Sequence, residues 1–234
     1  MAVVVPAQTL ELGAEARQAL RHLRAYLESY DVFAVLPRSL TGTLAGLPAK
    51  RFRTAAFRST RTYSRLLVSD EFYAAFTDYE YVLVHQLDCL VFSDSLGSWC
   101  ERGYDYVGAP WTRRNPEGEP YFTDVGNGGL SLRRVESCRR VLARRKRSLL
   151  RRARDRLKDP WPFEDKFWSL EAPGLDPSFR IPSAEVAVGF SFETEPRFCF
   201  EANGRRLPFG CHRWMTHDPE FWRPYLLSDA GRTT

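Results

Sequence analysis

The stretch YEYVLVHQLDCLVFSD, residues 79–94, restricts the fold more than any other part of the chain. Tyr81, Val82, Leu83 and Val84 form an unbroken apolar, β-prone run. That is the pattern of a strand covered on both faces, as in a parallel α/β sheet. The run gives way at once to His85, Gln86 and Asp88, set among Leu87, Cys89, Leu90 and Val91. A carboxylate surrounded by core-like residues is costly unless it is paired, and a divalent cation is an efficient partner. Asp88 is therefore read either as a metal-facing residue or as the cap of the next turn, and the stretch alone does not decide between them.

The residues before it point to the same sheet. AVVV, 2–5, reads as a strand stopped by Pro6, 14–29 as an amphipathic helix, and DVFAVLP, 31–37, as a second buried strand. Such a βαβ unit crosses over right-handed. Open parallel sheets bind ligands at the carboxyl ends of their strands, which makes Val5 and Pro6 candidate binding positions. A short strand is expected around Arg51–Arg53, then two helical pieces over 59–76 with Asp70 capping the second. Asp94 is expected to cap a short helix reaching Cys100, and YDYVGAPW, 104–111, to form one strand. Residues 112–123 are rich in Pro, Gly and charge and read as a surface loop able to act as a lid or substrate-binding segment.

The second half carries the remaining signals. VGNGGLSLR, 125–133, enters a strand through Gly126, Gly128 and Gly129, beside Asn127. Glycine there permits positive φ and close approach of a ligand, while Asn-Gly is also a strong hairpin-turn signal. Residues 134–158 read as a long, very basic helix. An anionic membrane or polyanionic substrate is one reading of it, and a solvated face is the preferred one. In DPWPFEDKFWSL, 159–170, Glu164 and Asp165 sit at a helix start, favoured there by the helix dipole or aimed as a general base. A strand is expected at Phe179–Ile181, a short helix at 183–189, and a strand near Phe198–Phe200. The tail, 207–225, is too aromatic to be free. Within it His212 is taken alone more often structural than a ligand.

With 234 residues, 44% of them hydrophobic, and no repeat or linker, one α/β domain suffices. Five scattered cysteines without CxxC spacing argue against disulfides or a zinc knuckle and for a reducing, cytoplasmic setting. Neither a signal peptide nor a membrane-spanning run of about 20 apolar residues is visible.

Taken in order, EYVLVHQLDCLVF, YDYVGAPW, VGNGGLSLR, FEDKFW and LPFGCHRW resemble a bacterial family of domains of unknown function, which in turn looks like GT-A glycosyltransferases. The resemblance implies a single GT-A-like (Rossmann-like) domain with a mostly parallel central sheet flanked by helices. Its nucleotide-binding half would be 1–111 and its acceptor and catalytic half 112–234. Gln86 and Asp88 fall on the two Asp of the family's Asp-x-Asp motif. Asp88 then stands as the main metal-binding carboxylate, with Gln86 a neutral departure. His212 matches a terminal metal ligand for Mn²⁺ or Mg²⁺. Asn127, Gly128 and Gly129 match the strand that lines the donor sugar. Asp165 matches the base, with Glu164 orienting donor or acceptor. The implied activity is inverting transfer of a sugar from a nucleoside-diphosphate sugar to a glycan or lipid-linked acceptor in cell-envelope or polysaccharide synthesis. Residues 139–158 would meet the inner membrane face, and no nucleic acid is expected. The rival is a non-catalytic nucleotide- or sugar-binding module with a degenerate metal site. A glycoside hydrolase is disfavoured, because its two carboxylates flank a sugar rather than adjoin in sequence.

Overall fold

The computed structural model describes residues 1–151 and 163–228. The end of the basic run, 152–158, and the segment 159–162 lie outside the described residues. The apolar opening forms β1 (Ala2–Pro6). Helix α1 (Ala14–Leu27) returns the chain to β2 (Asp31–Pro37), parallel to β1 with Val4 opposite Phe33. Strand β3 (Ala49–Phe52) adds in parallel to β2. Helix α2 (Thr60–Leu67) starts at a capping box in which the Thr62 amide donates to the Ser59 hydroxyl and the Ser59 amide to the Thr62 hydroxyl. Helix α3 (Asp70–Ala74) is capped by Ser69, one residue before the expected Asp70.

Strand β4 (Tyr81–His85) is buried along its whole length and pairs in parallel with β1. Strand β5 (Cys89–Val91) and helix α4 (Leu96–Glu101) follow, and the residue at the α4 cap is Ser95 rather than Asp94. The single strand expected over 104–111 is broken into β6 (Tyr106–Val107) and β7 (Pro110–Arg114). The break falls at Gly108, which packs so closely on the Gly126 carbonyl that a Cβ there would lie 1.8 Å from it. Residues 112–123 are not a loop. β7 pairs with β8 (Pro120–Val125) as a hairpin, with only the tip around Asn115–Gly118 loop-like. The β-prone Tyr121 and Phe122 outweigh the Pro and Gly around them.

Strand β9 (Leu130–Arg134) runs antiparallel between β4 and β6, giving the sheet order β3-β2-β1-β4-β9-β6 among the described residues. Helix α5 (Val135–Arg151) follows directly. The rest comprises α6 (Glu164–Lys166), a π-turn at Phe167–Glu171, α7 (Ala172–Leu175), α8 (Ala184–Ala187), β10 (Ser191–Phe192), α9 (Pro196–Ala202), β11 (Gly210–His212) and α10 (Pro219–Trp222). Phe179–Ile181 is not a strand, since the Arg180 backbone is held by Asp105 instead of a ladder. Phe198–Phe200 lies in α9, because Pro196 starts a helix there.

The alternation of β1 and β4 divides the core. Val3, Val5 and Leu83 pack with Leu20, Leu23 and Leu27 of α1. Val4, Val82 and Val84 pack on the other face with Leu67, Phe72, Val141 and Trp168. Each fully buried Val or Leu of this kind contributes roughly 1.5–3 kcal/mol relative to exposure. Four arginines of α5 have partners among the described residues. Arg140 and Arg144 reach Asp176 at 2.6 and 3.0 Å, Arg139 reaches Asp70 at 2.7 Å, and buried Arg145 stacks over Phe167. The aromatic tail packs as expected, with Trp214 and Trp222 buried. Among the described residues no helix is long and apolar enough to cross a membrane.

Candidate functional site

Because β1 and β4 are parallel, their carboxyl ends open on the same edge of the sheet. Pro6, Ala7 and Gln8 at the end of β1, with Gln86, Leu87 and Asp88 after β4, line a cleft of about 320 Å³. Phe57, Thr60 and Tyr63 line it as well. Val5 is wholly buried in the core and presents no surface to this cleft, so of the two β1 positions expected to meet a ligand only Pro6 lines it. A larger concavity of about 900 Å³ between α2–α3 and α5 shares none of these residues and holds one carboxylate, Asp70, already paired.

A small second sheet completes the site. β11 pairs antiparallel with β5, placing His212 opposite Cys89, and β10 pairs parallel with β11, which delivers Glu193 just beyond its end. His212 is surrounded by oxygen. Its Nε2 lies 3.2 Å from Gln86 Oε1 and 3.3 Å from Asp88 Oδ1. Its Nδ1 lies 3.1 Å from Asn127 Oδ1 and 3.2 Å from Glu193 Oε2. Burial opposes charge on the imidazole, but the hydrogen bonds to Asp88 and Glu193 outweigh it and raise its pKa to about 9. Burial likewise opposes charge on Asp88, and His212 more than compensates, holding that carboxyl below its ordinary range.

The donor set fits a divalent cation. With Nδ1–H donated to Glu193 or Asn127, Nε2 is the nitrogen left to coordinate, the usual arrangement of a metal-bound histidine. Asp88 Oδ1, His212 Nε2 and Gln86 Oε1 converge on one side of the ring, an oxygen–nitrogen set suited to Mn²⁺ or Mg²⁺. Cys89 Sγ also lies within 4.8 Å of the Asp88 and His212 ligand atoms. Burial pushes its thiol pKa well up and it donates to the Gly129 carbonyl, so it packs as a thiol.

The positive φ expected at the glycines falls on Asn127 instead. Neither Gly126, Gly128 nor Gly129 has positive φ; Asn127 does, at 58°. β8 and β9 pair with other strands, so the segment is no hairpin turn either. The bare backbone makes room for the protein's own side chains. A Cβ on Gly126 would lie 2.1 Å from the Trp111 ring, on Gly128 1.4 Å from Glu164 Oε1, and on Gly129 2.2 Å from His212 Nε2.

The expected carboxylate pair is split. Glu164 is buried and ion-paired at 2.7 Å with Arg133, itself fully buried and bonded to Ser131, Tyr73 and the Gly128 carbonyl. Burial raises the Glu164 pKa, and Arg133 works against that rise. Asp165 is half-buried and accepts from the Lys166 amide at 2.8 Å. Four residues of this neighbourhood escaped sequence reasoning. Arg133 had a faint signal, a cation at an inward position of an apolar strand. Glu193, Tyr63 and Glu15, whose carboxyl is raised first by burial and then by the nearby Asp88 charge, had none.

Three solved glycosyltransferases share the fold. Mouse xyloside xylosyltransferase 1 in its apo form superposes with a TM-score of 0.52 at 12% identity, over 91% of this chain and 97% of that one. Galactosyltransferase LgtC, crystallised with donor and acceptor sugar analogs, gives 0.51 at 16% identity over 97% and 100%. Apo GlyE of Streptococcus pneumoniae TIGR4 gives 0.50 at 14% identity, and this chain spans 97% of itself but 60% of the GlyE chain. At such identities the likeness is one of fold, and the fold is GT-A-like. No curated protein sequence matches the chain. Residues 46–212 match the family described as "Protein of unknown function (DUF5672)", and the chain belongs to that family.

Proposed function

We propose that this chain is a glycosyltransferase that moves a sugar from a nucleoside-diphosphate sugar to an acceptor hydroxyl with inversion. The observation that carries the reading is the convergence of Asp88, His212 Nε2 and the Gln86 carbonyl beside a cleft at the carboxyl ends of parallel strands. Donor contacts are assigned to Pro6, Gln86, Asp88 and Asn127. Gly128 and Gly129 serve the donor site indirectly, by admitting Glu164 and His212. A divalent cation held by Asp88 and His212, with Gln86 as a neutral third donor, would supply Lewis-acid neutralisation of the diphosphate leaving group.

The chain's own residues supply the rest. The acceptor oxygen bonds to the anomeric carbon as the bond to the diphosphate breaks, and Asp165 takes the hydroxyl proton. Proton transfer of this kind contributes roughly 10²–10⁴-fold. Glu164 is bound to Arg133 and packed on Gly128, so it holds the 127–129 segment in place rather than serving as the base. A glycan or lipid-linked acceptor, envelope polysaccharide synthesis, and a division into a donor half at 1–111 and an acceptor half at 112–234 belong to the same proposal. The sheet itself is shared between those halves, since β9 sits between β4 and β6.

Gln86 favours one second reading, a nucleotide-binding module without turnover, because it removes a charge from the metal site. Incubation with a panel of nucleotide sugars, with and without Mn²⁺, separates the two. NMR detection of released sugar with inverted anomeric configuration supports the transferase. Retained configuration removes Asp165 as base, and tight nucleotide binding without turnover across the panel supports the module.

A further inference from the structure

Tyr63 stands on α2 and lines the cleft together with Phe57, Thr60, Gln86 and Asp88. Its hydroxyl is enclosed and has no hydrogen-bond partner. A phenol hydroxyl carries its proton, and so is a donor, at physiological pH. The Gln86 side chain acts on this hydroxyl, but no hydrogen bond of normal geometry closes between them. The Gln86 carbonyl is turned to His212 at 3.2 Å, which leaves its amide nitrogen for the Tyr63 side. The Tyr63 hydroxyl proton thus finds no acceptor in the Gln86 amide. An enclosed hydroxyl left unpaired is unfavourable, and native proteins tolerate one chiefly where a ligand or water supplies the partner.

The groups that share the cleft with Tyr63 indicate which ligand atom that is. Asp88 belongs to the cluster assigned to the diphosphate. Gln86 is two residues away past the same strand end, and Tyr63 and Pro6 to Gln8 line the same cleft. In a nucleoside diphosphate the ribose is the group joined directly to the diphosphate, with the base farther on. We propose that Tyr63 reads the ribose of a bound nucleotide by donating its hydroxyl proton to a ribose hydroxyl oxygen, making the cleft selective for ribonucleotides over deoxynucleotides. This rests on the cleft being a nucleoside-diphosphate site, as proposed above.

The test is calorimetric titration of wild type and Tyr63→Phe with UDP, CDP, GDP and ADP, then with the 2′-deoxy and 3′-deoxy forms of the tightest binder. Tyr63→Phe weakens the ribonucleotide by about tenfold. It weakens one of the two deoxy forms, the one lacking the hydroxyl that Tyr63 meets, by less than about twofold, as a double-mutant cycle requires for a direct contact. Loss of an unpaired hydroxyl also leaves the melting temperature of the ligand-free protein unchanged or raised. Equal weakening of all three forms, no weakening of any, or a clear fall in ligand-free stability would overturn the role of Tyr63 while leaving the nucleotide site standing. Failure of all four ribonucleotides to bind wild type would remove the nucleotide site and this role with it.

Discussion

Replacing Gly129 by alanine tests how the site is built. The Gly129 carbonyl accepts from the Gln86 amide at 3.0 Å and from Cys89 Sγ at 3.3 Å, so the backbone is held and cannot retreat. A Cβ added there meets three atoms of the His212 ring at 2.2, 2.3 and 2.4 Å. Ordinary contact begins near 3.5 Å, so the ring must withdraw by about 1.3 Å, the difference between 3.5 and 2.2. That displaces Nε2 from the position in which it meets Gln86 and Asp88 at 3.2 and 3.3 Å. Overpacking of this kind costs about 1–3 kcal/mol, and each kcal/mol lowers the melting temperature of a domain this size by about 2–4 °C. Mn²⁺ affinity, read by calorimetry, should fall by at least about tenfold. Gly13→Ala is the control, since a Cβ there has nothing within 4 Å and φ is −67°. If Gly129→Ala melts like Gly13→Ala and keeps its Mn²⁺ affinity, His212 is not the residue Gly129 accommodates, and the reasoning fails.

Other outcomes follow from the same geometry. Asp165→Asn should lower turnover by roughly 10²–10⁴-fold while donor affinity, measured by calorimetry, stays within about twofold. Arg133→Met leaves Glu164 buried without its cation and should cost about 3–5 kcal/mol in urea unfolding, most of it recovered in Arg133→Met/Glu164→Met. Burial disfavours the Asp176 carboxylate, but hydrogen bonds from Arg140 and Ser178 outweigh this and hold its pKa at about 2, below the ordinary 3.8. Its stabilisation is therefore complete above about pH 4 and lost as pH falls through about 2. Asp176→Asn should flatten that acid limb of the melting-temperature profile and cost on the order of 1 kcal/mol at neutral pH, because its partners Arg140 and Arg144 are half-exposed and screened.

What the sequence revealed follows period and continuity. The run Tyr81–Val84 announced a strand buried on both faces because no polar residue interrupts it, and AVVV with DVFAVLP announced its parallel neighbours. The 112–123 hairpin was hidden because Pro, Gly and charge at its tip mask the alternation of Tyr121 and Phe122. The strand expected near Phe198 was a helix because one proline in the first turn outweighs two β-prone aromatics. At the site, Asp88 was legible as a carboxylate among core-like residues and Asn127 as a polar residue among glycines, while Gln86 and His212 stood out only through the order of motifs, and the structure brings all four together. Glu193 and Tyr63 were not legible, because their importance arises from where the small sheet and α2 place them. The glycines were noticed for their bare backbone, and the side chains of Trp111, Glu164 and His212 lie against it. Glu164 was seen without Arg133, since no spacing rule links residues 31 apart.

The central claim is that Asp88 and His212 form the metal-assisted diphosphate end of a nucleotide cleft. Calorimetric titration of UDP, CDP, GDP and ADP into wild type and Asp88→Asn, each with and without Mn²⁺, tests it most directly. The account predicts that wild type binds one of the four at least about tenfold more tightly with Mn²⁺, and that Asp88→Asn binds that nucleotide with no Mn²⁺ dependence. Nucleotide binding indifferent to Mn²⁺ in wild type, or the same Mn²⁺ enhancement in Asp88→Asn, would contradict it.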